Sequence, residues 1–243
     1  MQRLLKSFVR QLARNIRVPI RSGPCEGCLW SLPTRMQFLR GVYEARLANF
    51  VAETLRPDDV FWDVGAHFGY YSLLASRVVT DGQCYSFEPD PANRWFLESH
   101  VRWNLVQNIS VFPFAIAANC GTRTFGGNGT GAGHLDGAGQ TVQTRSVDAL
   151  IESHACRPPS FMKIDVEGAE AEVLQGRFLT RGAGIICVAT HSPELHAGCG
   201  QLLAGHGFEI HDPGAPGFLV AVSRARPDCD FVMKRTASLH TNA

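Results

Sequence analysis

Residues 60–71, Val-Phe-Trp-Asp-Val-Gly-Ala-His-Phe-Gly-Tyr-Tyr, decide the fold of this chain. The stretch begins with a short apolar run of five residues that contains Asp63, which is typical of a buried strand. Gly65 and Gly69 follow, and glycine lets a backbone turn tightly and approach a ligand closely. A helical pattern then runs over residues 70–79. The stretch therefore predicts a strand, a glycine-containing turn and a helix.

The same alternation of strand and helix continues along the chain. The predicted core strands are Val60–Val64, Cys84–Phe87, Ile109–Ala115, Phe161–Asp165 and Ile185–Ala189. The predicted helices between and after them are Tyr70–Val79, Asp90–Val106, Val147–His154, Ala169–Gly176 and Pro193–Gly205. Thr141–Arg145 is predicted as an edge strand, and Phe208–His211 with Phe218–Val222 as a closing pair. Repeated strand–helix units predict an α/β fold whose mostly parallel sheet is covered on both faces. Ligands of such sheets bind at the carboxyl ends of the strands.

The turn after the first core strand does not match the common phosphate-binding loops. Its spacing is G-x-x-x-G, whereas a dinucleotide-binding loop has G-x-G-x-x-G, so a nicotinamide-dependent oxidoreductase is disfavoured. No Gly-Lys-Ser/Thr follows, which excludes a P-loop. Asp63 at the strand end would repel a pyrophosphate, but it suits a cationic ammonium or sulfonium group.

An acidic residue also follows the second core strand, in Phe87-Glu88-Pro89. A carboxylate at this place accepts hydrogen bonds from the two hydroxyls of a ribose. Glu88 lies 19 residues after Gly69, which suits the next strand of the sheet. The acidic glycine loop and the ribose-binding acid together predict a site for S-adenosyl-L-methionine. The alternative is that each acid only caps a helix.

The fourth core strand ends in a run of charges at alternate positions, Lys163, Asp165 and Glu167. Residues at alternate positions of a strand project to one side. Charges gathered at the end of a buried strand favour a functional site. The alternative is a structural Lys163–Asp165 ion pair with Glu167 as a helix cap.

Four segments, in order, resemble the FkbM family of class I S-adenosylmethionine-dependent methyltransferases. They are DVGAHFGYYSL, FEP, SVDAL and KIDVEGAEAEVLQG, and the resemblance covers about residues 43–222. It implies a Rossmann-like, seven-stranded, mostly parallel sheet whose last strand is antiparallel, with helices on both faces. It also implies O-methylation of a hydroxyl on a sugar, a glycolipid or a polyketide-type product. A methyltransferase-like module that binds without catalysis is the main alternative.

The resemblance assigns roles to residues at the strand ends. Those expected to bind the cofactor are Asp63, Gly65, Ala66, His67, Gly69, Tyr71, Glu88 and Pro89. Those expected near the acceptor are Lys163, Asp165, Glu167, Gly168 and His191. Either Asp165 or His191 is expected to be the base, since the acceptor hydroxyl must lose its proton. Lys163 could hold Asp165 ionised. No metal ligand is assigned.

The chain departs from the family pattern at two places. His67 stands where the family usually has Asn, so an imidazole replaces an amide beside the cofactor. The family often has an acid in an E-x-H pattern after strand five, but this chain has Ala189-Thr190-His191. If that acid helps to bind a metal or the acceptor, this protein does so differently.

The 243 residues carry 23 Lys+Arg and 22 Asp+Glu, a net charge of +1 that hides an asymmetry. Residues 1–23 hold six basic residues and no acidic one, and the rest has a net charge of −5. Residues 2–17 predict an amphipathic basic helix that Pro19 ends. It is expected to lie on an anionic membrane surface, to be a transit peptide or to pack on the protein. The near-neutral total argues against a nucleic-acid partner.

The expected organisation has four parts. Residues 1–23 form the basic helix, 24–57 a helical extension, 58–225 the methyltransferase domain and 226–243 a C-terminal tail. The chain is expected to be cytoplasmic, peripheral to the inner face of the membrane if the basic helix binds there, and to act on a sugar- or glycolipid-type acceptor. The glycine-rich segment 121–140, with eight of the 24 glycines, is expected to be an acceptor lid or an ordinary loop.

Eight cysteines are scattered through the chain and are expected to be reduced thiols. Cys25-x-x-Cys28 is the one pair at suggestive spacing. A zinc site would need a second pair at matching spacing, and the sequence has none. Reduced thiols without a special role are therefore the favoured interpretation of the pair, with a metal or redox role as the alternative.

Overall fold

The computed structural model describes residues 13–126, 133–212, 217–236 and 239. The strands are β1 (Arg17–Pro19), β2 (Leu29–Ser31), β3 (Val60–Val64), β4 (Gln83–Phe87), β5 (Ile109–Phe112), β6 (Ala115–Ile116), β7 (Gly121–Gly126), β8 (His134–Leu135), β9 (Gln140–Arg145), β10 (Phe161–Ile164), β11 (Ile185–Ala189), β12 (Phe208–His211) and β13 (Phe218–Ser223). The helices are α1 (Met36–Arg40), α2 (Ala45–Thr54), α3 (Tyr70–Val78), α4 (Pro91–Trp103), α5 (Val147–Glu152), α6 (Glu170–Val173), α7 (Pro193–Gly205) and α8 (Cys229–Thr236), with a 3₁₀ turn at Arg177–Thr180.

The main sheet has seven strands in the order β12-β13-β11-β10-β3-β4-β5. β13 is antiparallel to both of its neighbours, and all other pairs in the sheet are parallel. The predicted seven-stranded sheet with an antiparallel last strand is confirmed. The strand order reverses between β3 and β10, and a crevice forms at the carboxyl ends of strands at such a reversal. The fold therefore places the binding site beside the loops that follow β3, β4 and β10.

Alternate residues of the strands face two separate apolar cores. Phe61 and Phe161 belong to a core that α2, α3, α4 and α8 cover. Trp62 and Met162 belong to the opposite core, which α5, α6 and α7 cover. Helices on both faces are thus confirmed, as expected for a mostly parallel sheet. The alternation also puts polar residues 63 and 163 on the α3 side, because each lies two positions after a phenylalanine of that core.

Local signals in the sequence set the helix starts. Asp90 caps α4 by accepting hydrogen bonds from the backbone N–H groups of Ala92 and Asn93, with proline in the first turn. Ser192 caps α7 in the same way, through the N–H of Leu195. The helix predicted over residues 169–176 is shorter, since only Glu170–Val173 are helical before the 3₁₀ turn.

A second sheet of four short strands, β6-β9-β7-β8, lies beside the main one. β9 lies between β6 and β7, so the prediction of an edge strand at residues 141–145 is wrong. Arg123 on β7 donates a 2.6 Å hydrogen bond to Glu172 on α6 and also pairs with Asp136. These contacts join the described part of the glycine-rich segment to the main domain. Residues 127–132 lie outside the described part of the chain, so the lid stays a prediction.

The N-terminal region is folded against the domain. Residues 1–12, most of the predicted basic helix, lie outside the described residues. The helix does not continue to Arg17, because Arg17–Pro19 form β1 and pair with β2. The guanidinium of Arg14 lies 4.5 Å from the ring of Trp95, and that of Arg17 lies 5.0 Å from the ring of Trp103. Two basic residues of the arm therefore pack on the aromatic side chains of α4.

The predicted helical extension 24–57 is interrupted. Its helical pattern breaks at Gly41, which adopts a φ of 72° and ends α1. Residues 29–31 are β2, whose residue Trp30 is fully buried. In the described part of the chain, no helix has both the length and the apolar composition needed to cross a membrane.

The described part of the predicted C-terminal tail starts with a buried ion pair. Arg226 is 5% exposed, and its guanidinium lies 2.9 Å from Asp59, which is 4% exposed. Arg226 also donates to the backbone oxygen of Thr54. The α8 helix then packs over α2. These residues extend the domain beyond the expected boundary at residue 225.

Candidate active site

A cleft opens at the carboxyl ends of β3, β4 and β10. Its empty space, which continues into open solvent, is about 930 Å³. The predicted site residues that line it are Gly65, Ala66, His67, Tyr71, Glu88, Pro89, Lys163, Asp165 and Glu167. Four predicted site residues, Asp63, Gly69, Gly168 and His191, do not line it.

Two glycines bring the loops of the cleft together. Gly65 has a φ of 80°, and a Cβ atom there would lie 1.9 Å from the backbone oxygen of Asp165. Gly69 has a φ of 84°, and a Cβ atom there would lie 2.3 Å from the side chain of Leu97. Both positions therefore need glycine for two reasons. The φ angle is positive, and the neighbouring atoms leave no room for a side chain. Gly65 joins the first loop to the loop after β10.

Glu88 lies at the base of the cleft and is 4% exposed. Its carboxylate accepts hydrogen bonds from the backbone N–H groups of His67 at 2.7 Å and Asp90 at 2.9 Å. Burial raises the pKa of Glu88 to about 7, while these two N–H groups oppose the rise. His67 has a φ of 51° and stacks on Phe68 at 3.7 Å between ring centroids. The carboxylate is thus held in one orientation beside the cavity.

Asp63 lies beneath the cleft and is only 1% exposed. Its Oδ2 accepts a 2.6 Å hydrogen bond from Ser72, which in turn accepts one from Ser86. Burial raises the pKa of Asp63, and the charge of Lys163 on the neighbouring strand opposes the rise. The expectation that Asp63 suits a cationic group of the cofactor stays a prediction. Within the described structure, the positive charge that acts on Asp63 is that of Lys163.

Lys163 is buried between two carboxylates and is 3% exposed. Its ammonium lies 2.9 Å from Asp165 and 4.9 Å from the centre of the Tyr71 ring. Burial disfavours the charged amine, but Asp165 and Asp63 raise the pKa of Lys163 overall. Burial would likewise raise the pKa of Asp165, but Lys163 lowers it below its ordinary value. The Lys163–Asp165 pair of the sequence prediction therefore exists, and it keeps Asp165 ionised.

His191, at the end of β11, reaches the acidic loop after β10. Its Nε2 lies 3.5 Å from Oδ1 of Asp165 and 3.4 Å from Oε2 of Glu167. These three side chains place one donor atom each within 4.8 Å of one another, a set that could hold a divalent cation. Glu167 has a φ of 54°, a conformation that non-glycine residues adopt mainly at constrained sites. The structure thus brings His191 next to two acids that precede it by 26 and 24 residues in the sequence.

Glu170 completes this cluster, and the sequence reasoning missed it. It is 0% exposed, and its Oε1 lies 2.7 Å from Nδ1 of His191. The same carboxylate accepts a hydrogen bond from the N–H of Gly168. The bond with Glu170 is the main reason that the pKa of His191 is raised. The available signal was a third acid in KIDVEGAE, three positions after Glu167.

The outer wall of the cleft comes from segments that the sequence reasoning did not place there. Arg35, Phe38 and Tyr43 of the N-terminal extension line it on one side. Phe125 and Leu135 of the small sheet line it on the other. Neither group carries a motif, so only the folded chain shows that they meet at the cavity.

Comparison with known families identifies the domain. A family model described as the methyltransferase FkbM domain matches residues 63–210. The chain belongs to this family. The chain is 33% identical over 155 residues to a hexuronic acid methyltransferase, AglP, of Haloferax volcanii. That match covers 58% of this chain and 59% of the relative, so the chain spans about three fifths of the relative's length.

Solved structures of methyltransferases share the fold. A methyltransferase FkbM from Methylobacillus flagellatus aligns with a TM-score of 0.53 at 18% identity, over 69% of this chain and 44% of the other. A precorrin-6y C5,15-methyltransferase from Geobacter metallireducens aligns with a TM-score of 0.50 at 14% identity, over 74% of this chain and 88% of the other. An rRNA methylase from Streptococcus thermophilus also aligns with a TM-score of 0.50 at 13% identity, over 75% of this chain and 96% of the other. The Rossmann-like methyltransferase fold is confirmed.

Proposed function

We propose that this FkbM domain protein transfers a methyl group from S-adenosylmethionine to a hydroxyl group of a sugar. One observation carries the proposal. A single cleft holds Glu88, oriented by two backbone N–H groups, and the cluster of Asp165, Glu167 and His191 lies at its rim. The first feature suits a ribose and the second suits an acceptor hydroxyl.

The residues at the inner end of the cleft fit the cofactor. S-adenosylmethionine supplies a methyl group bound to a positively charged sulfur. The oxygens of Glu88 accept hydrogen bonds and would bind the ribose hydroxyls. The buried hydroxyl of Tyr70, whose side chain lines the cleft, has no hydrogen-bond partner among the described residues. A buried hydroxyl group without a hydrogen-bond partner is unfavourable. The Tyr70 hydroxyl is therefore available to form a hydrogen bond with a ligand.

The cluster at the outer end would receive the acceptor. Nδ1 of His191 is held by Glu170, so Nε2 is the nitrogen that faces the cleft side of the cluster. In the neutral ring that Nε2 would take the proton of the acceptor hydroxyl. Asp165, kept ionised by Lys163, would hold the same hydroxyl in place. Glu170 then stabilises the protonated ring.

The acceptor is proposed to carry a carboxylate, as a hexuronic acid does. Arg35 lines the cleft and forms no ion pair with any described residue. A guanidinium binds a carboxylate through two parallel hydrogen bonds. Lys163, the other basic side chain of the wall, is already paired with Asp165. The similarity to a hexuronic acid methyltransferase supports this assignment.

Calorimetry with S-adenosylhomocysteine, the demethylated cofactor, tests the cofactor site. Glu88→Gln should weaken binding more than tenfold, because one of its two ribose acceptors becomes a donor. Glu98→Gln, on the exposed face of α4, is the matched control and should bind like the wild type. No binding by the wild type, or equal binding by Glu88→Gln, would overturn the cofactor assignment.

Methyl transfer is tested with labelled S-adenosylmethionine and mass spectrometry of the products. Glycans that contain a hexuronic acid should be labelled, and their carboxyl-reduced counterparts should be labelled at least tenfold less. His191→Gln should bind S-adenosylhomocysteine normally and lose transfer, and a chelator arm would show whether a metal is needed. Cofactor binding without transfer to any glycan would favour a non-catalytic binding module.

The cellular setting of the protein remains a set of predictions. Membrane binding through residues 2–17, a cytoplasmic location and the absence of a nucleic-acid partner are among them. Liposome co-sedimentation of the full chain and of a variant lacking residues 1–12 would test the first.

A further inference from the structure

Cys25 and Cys28, which have no part in the proposed methyl transfer, lie at the two ends of a tight turn before β2. The backbone N–H of Cys28 donates a 3.0 Å hydrogen bond to the backbone oxygen of Cys25. This i to i+3 bond defines a β-turn, whose end Cα atoms lie less than about 7 Å apart. A disulfide needs a Cα separation of about 4.4–6.8 Å. The turn therefore holds the two cysteines at a separation that a disulfide can span.

The two sulfur atoms have different surroundings. Nη1 of Arg77 on α3 lies 3.3 Å from Sγ of Cys28 and donates to it. Sγ of Cys25 lies 3.6 Å from the backbone oxygen of Tyr70, at the start of the same helix, and donates to that oxygen. Cys28 thus has a cationic donor that stabilises a thiolate, whereas Cys25 has an acceptor that stabilises a thiol. Such a pair resembles a nucleophile with a resolving partner.

Among the described residues, no basic side chain donates a hydrogen bond to any of the other buried cysteines. Burial raises the pKa of Cys84 and Cys156 to about 12 and that of Cys199 to about 11. A hydrogen bond from Cys25, formed in place of its bond to Tyr70, and the charge of Arg77 together lower the pKa of Cys28 to about 6 despite its burial. These directions agree with the contacts. Among the cysteines with a shifted pKa, Cys28 is the one that ionises more readily.

We propose that Cys25 and Cys28 form a redox-active dithiol that reacts with hydroperoxides. Cys28 is 6% exposed and Cys25 is 0% exposed, so a small oxidant meets Cys28 first. The site lies outside the matched family region, which begins at residue 63. It does not depend on the proposed methyl transfer.

The reaction proceeds in two balanced steps. The Cys28 thiolate attacks one oxygen of the peroxide, so that an S–O bond forms and the O–O bond breaks. The product is a sulfenic acid, and the departing oxygen takes up the proton that the Cys28 thiol released to solvent on ionising and leaves as water or an alcohol. The sulfur of Cys25 then attacks Sγ of Cys28, so that an S–S bond forms, the S–O bond breaks and a second water leaves with the proton of Cys25. The two thiols lose two electrons, and the peroxide gains them.

The disulfide would alter two contacts with α3. Arg77 would lose its thiolate acceptor, and the backbone oxygen of Tyr70 would lose the S–H donor of Cys25. Tyr70 lines the cleft and directly follows Gly69. Oxidation of the two cysteines would therefore change the contacts of α3, the helix that begins directly after the cofactor loop.

The test is treatment of the full-length protein with limiting hydrogen peroxide, followed by peptide mapping under non-reducing conditions. The wild type should form a Cys25–Cys28 disulfide and lose the mass of two hydrogen atoms. Cys25→Ser should stop at the Cys28 sulfenic acid, which dimedone traps. Cys28→Ser should lose the fast reaction, and Cys120→Ser, which removes an exposed thiol, should react like the wild type.

Variants of Arg77 test the role of its charge. Arg77→Gln should slow the reaction at pH 7 at least about threefold, because the smaller thiolate fraction is only partly offset by stronger nucleophilicity. Arg77→Lys should restore most of the rate. A rate that Cys28→Ser leaves unchanged, or a disulfide that joins Cys28 to another cysteine, would overturn the proposal. S-adenosylhomocysteine binding is measured separately, so failure of either proposal is recognised on its own.

Discussion

Glu88 makes cofactor binding and protein stability depend on pH in opposite directions. The carboxyl group is buried and its pKa is raised from 4.5 to about 7. The proposed ribose contact requires the ionised form, which accepts hydrogen bonds at both oxygens. S-adenosylhomocysteine should therefore bind about tenfold more weakly for each pH unit below about 7. Above pH 7 the affinity should be constant.

The same pKa shift lowers stability as pH rises. In the unfolded chain the group ionises near 4.5, whereas in the folded protein it holds its proton up to about 7. Between these values the folded state binds more protons, so the free energy of unfolding falls with increasing pH. The difference of about 2.5 pKa units corresponds to about 3 kcal/mol, all of it lost above pH 7.

Glu88→Gln isolates both effects, because it removes the titration at this position alone. Calorimetry from pH 5.5 to 8 should show weak, pH-independent binding by the variant. Urea unfolding should show that the stability of the wild type relative to Glu88→Gln falls by up to about 3 kcal/mol from pH 4.5 to 7.5. Wild-type affinity that stays flat between pH 5.5 and 7.5, or a relative stability that rises with pH, would refute the reasoning.

Three further substitutions follow from the packing. Lys163→Met leaves two buried carboxylates without their shared cation, so unfolding in urea should show a loss of about 3–5 kcal/mol; an unchanged midpoint would mean that the pair contributes nothing. Arg226→Met breaks the buried pair with Asp59 and should destabilise the protein by a similar amount, while calorimetry at a permissive temperature should still show normal S-adenosylhomocysteine binding. Gly65→Ala should lower the melting temperature and weaken binding, because its Cβ would lie 1.9 Å from a backbone oxygen; Gly198→Ala in α7, where nothing lies within 4 Å, is the control and should be neutral or stabilising by about 0.5–1 kcal/mol.

The core strands could be predicted because a short run of apolar residues directly indicates a buried strand. Val60–Val64 and Ile185–Ala189 are apolar runs of strand length, and the structure has strands with the same bounds. The helix Pro193–Gly205 was also predicted with its observed bounds, since Ser192 and Pro193 mark its start. These bounds depend on residues that are neighbours in the sequence, so tertiary contacts do not change them.

Predictions failed where distant segments compete for the same backbone. The basic helix was expected to reach Arg17, but Arg17–Pro19 pair with β2, and hydrogen bonding between two segments overrides local periodicity. Residues 226–243 were expected to be a tail, but Arg226 is drawn into a buried pair with Asp59, 167 residues away. Neither partner can be identified from its neighbours in the sequence.

The candidate site likewise has features that the sequence predicts and features that depend on tertiary contacts. The sequence alone determined the strand-end acids at 88 and 165 and the glycine turn, because parallel strands gather their carboxyl ends at one edge. Only the tertiary structure decided that Asp63 lies beneath the cleft against Lys163, and that Glu170 holds His191. The reason is that burial and side-chain pairing depend on which strands become neighbours. A sequence places a charge on an element, but the pairing of strands decides whether that charge meets a ligand or another residue.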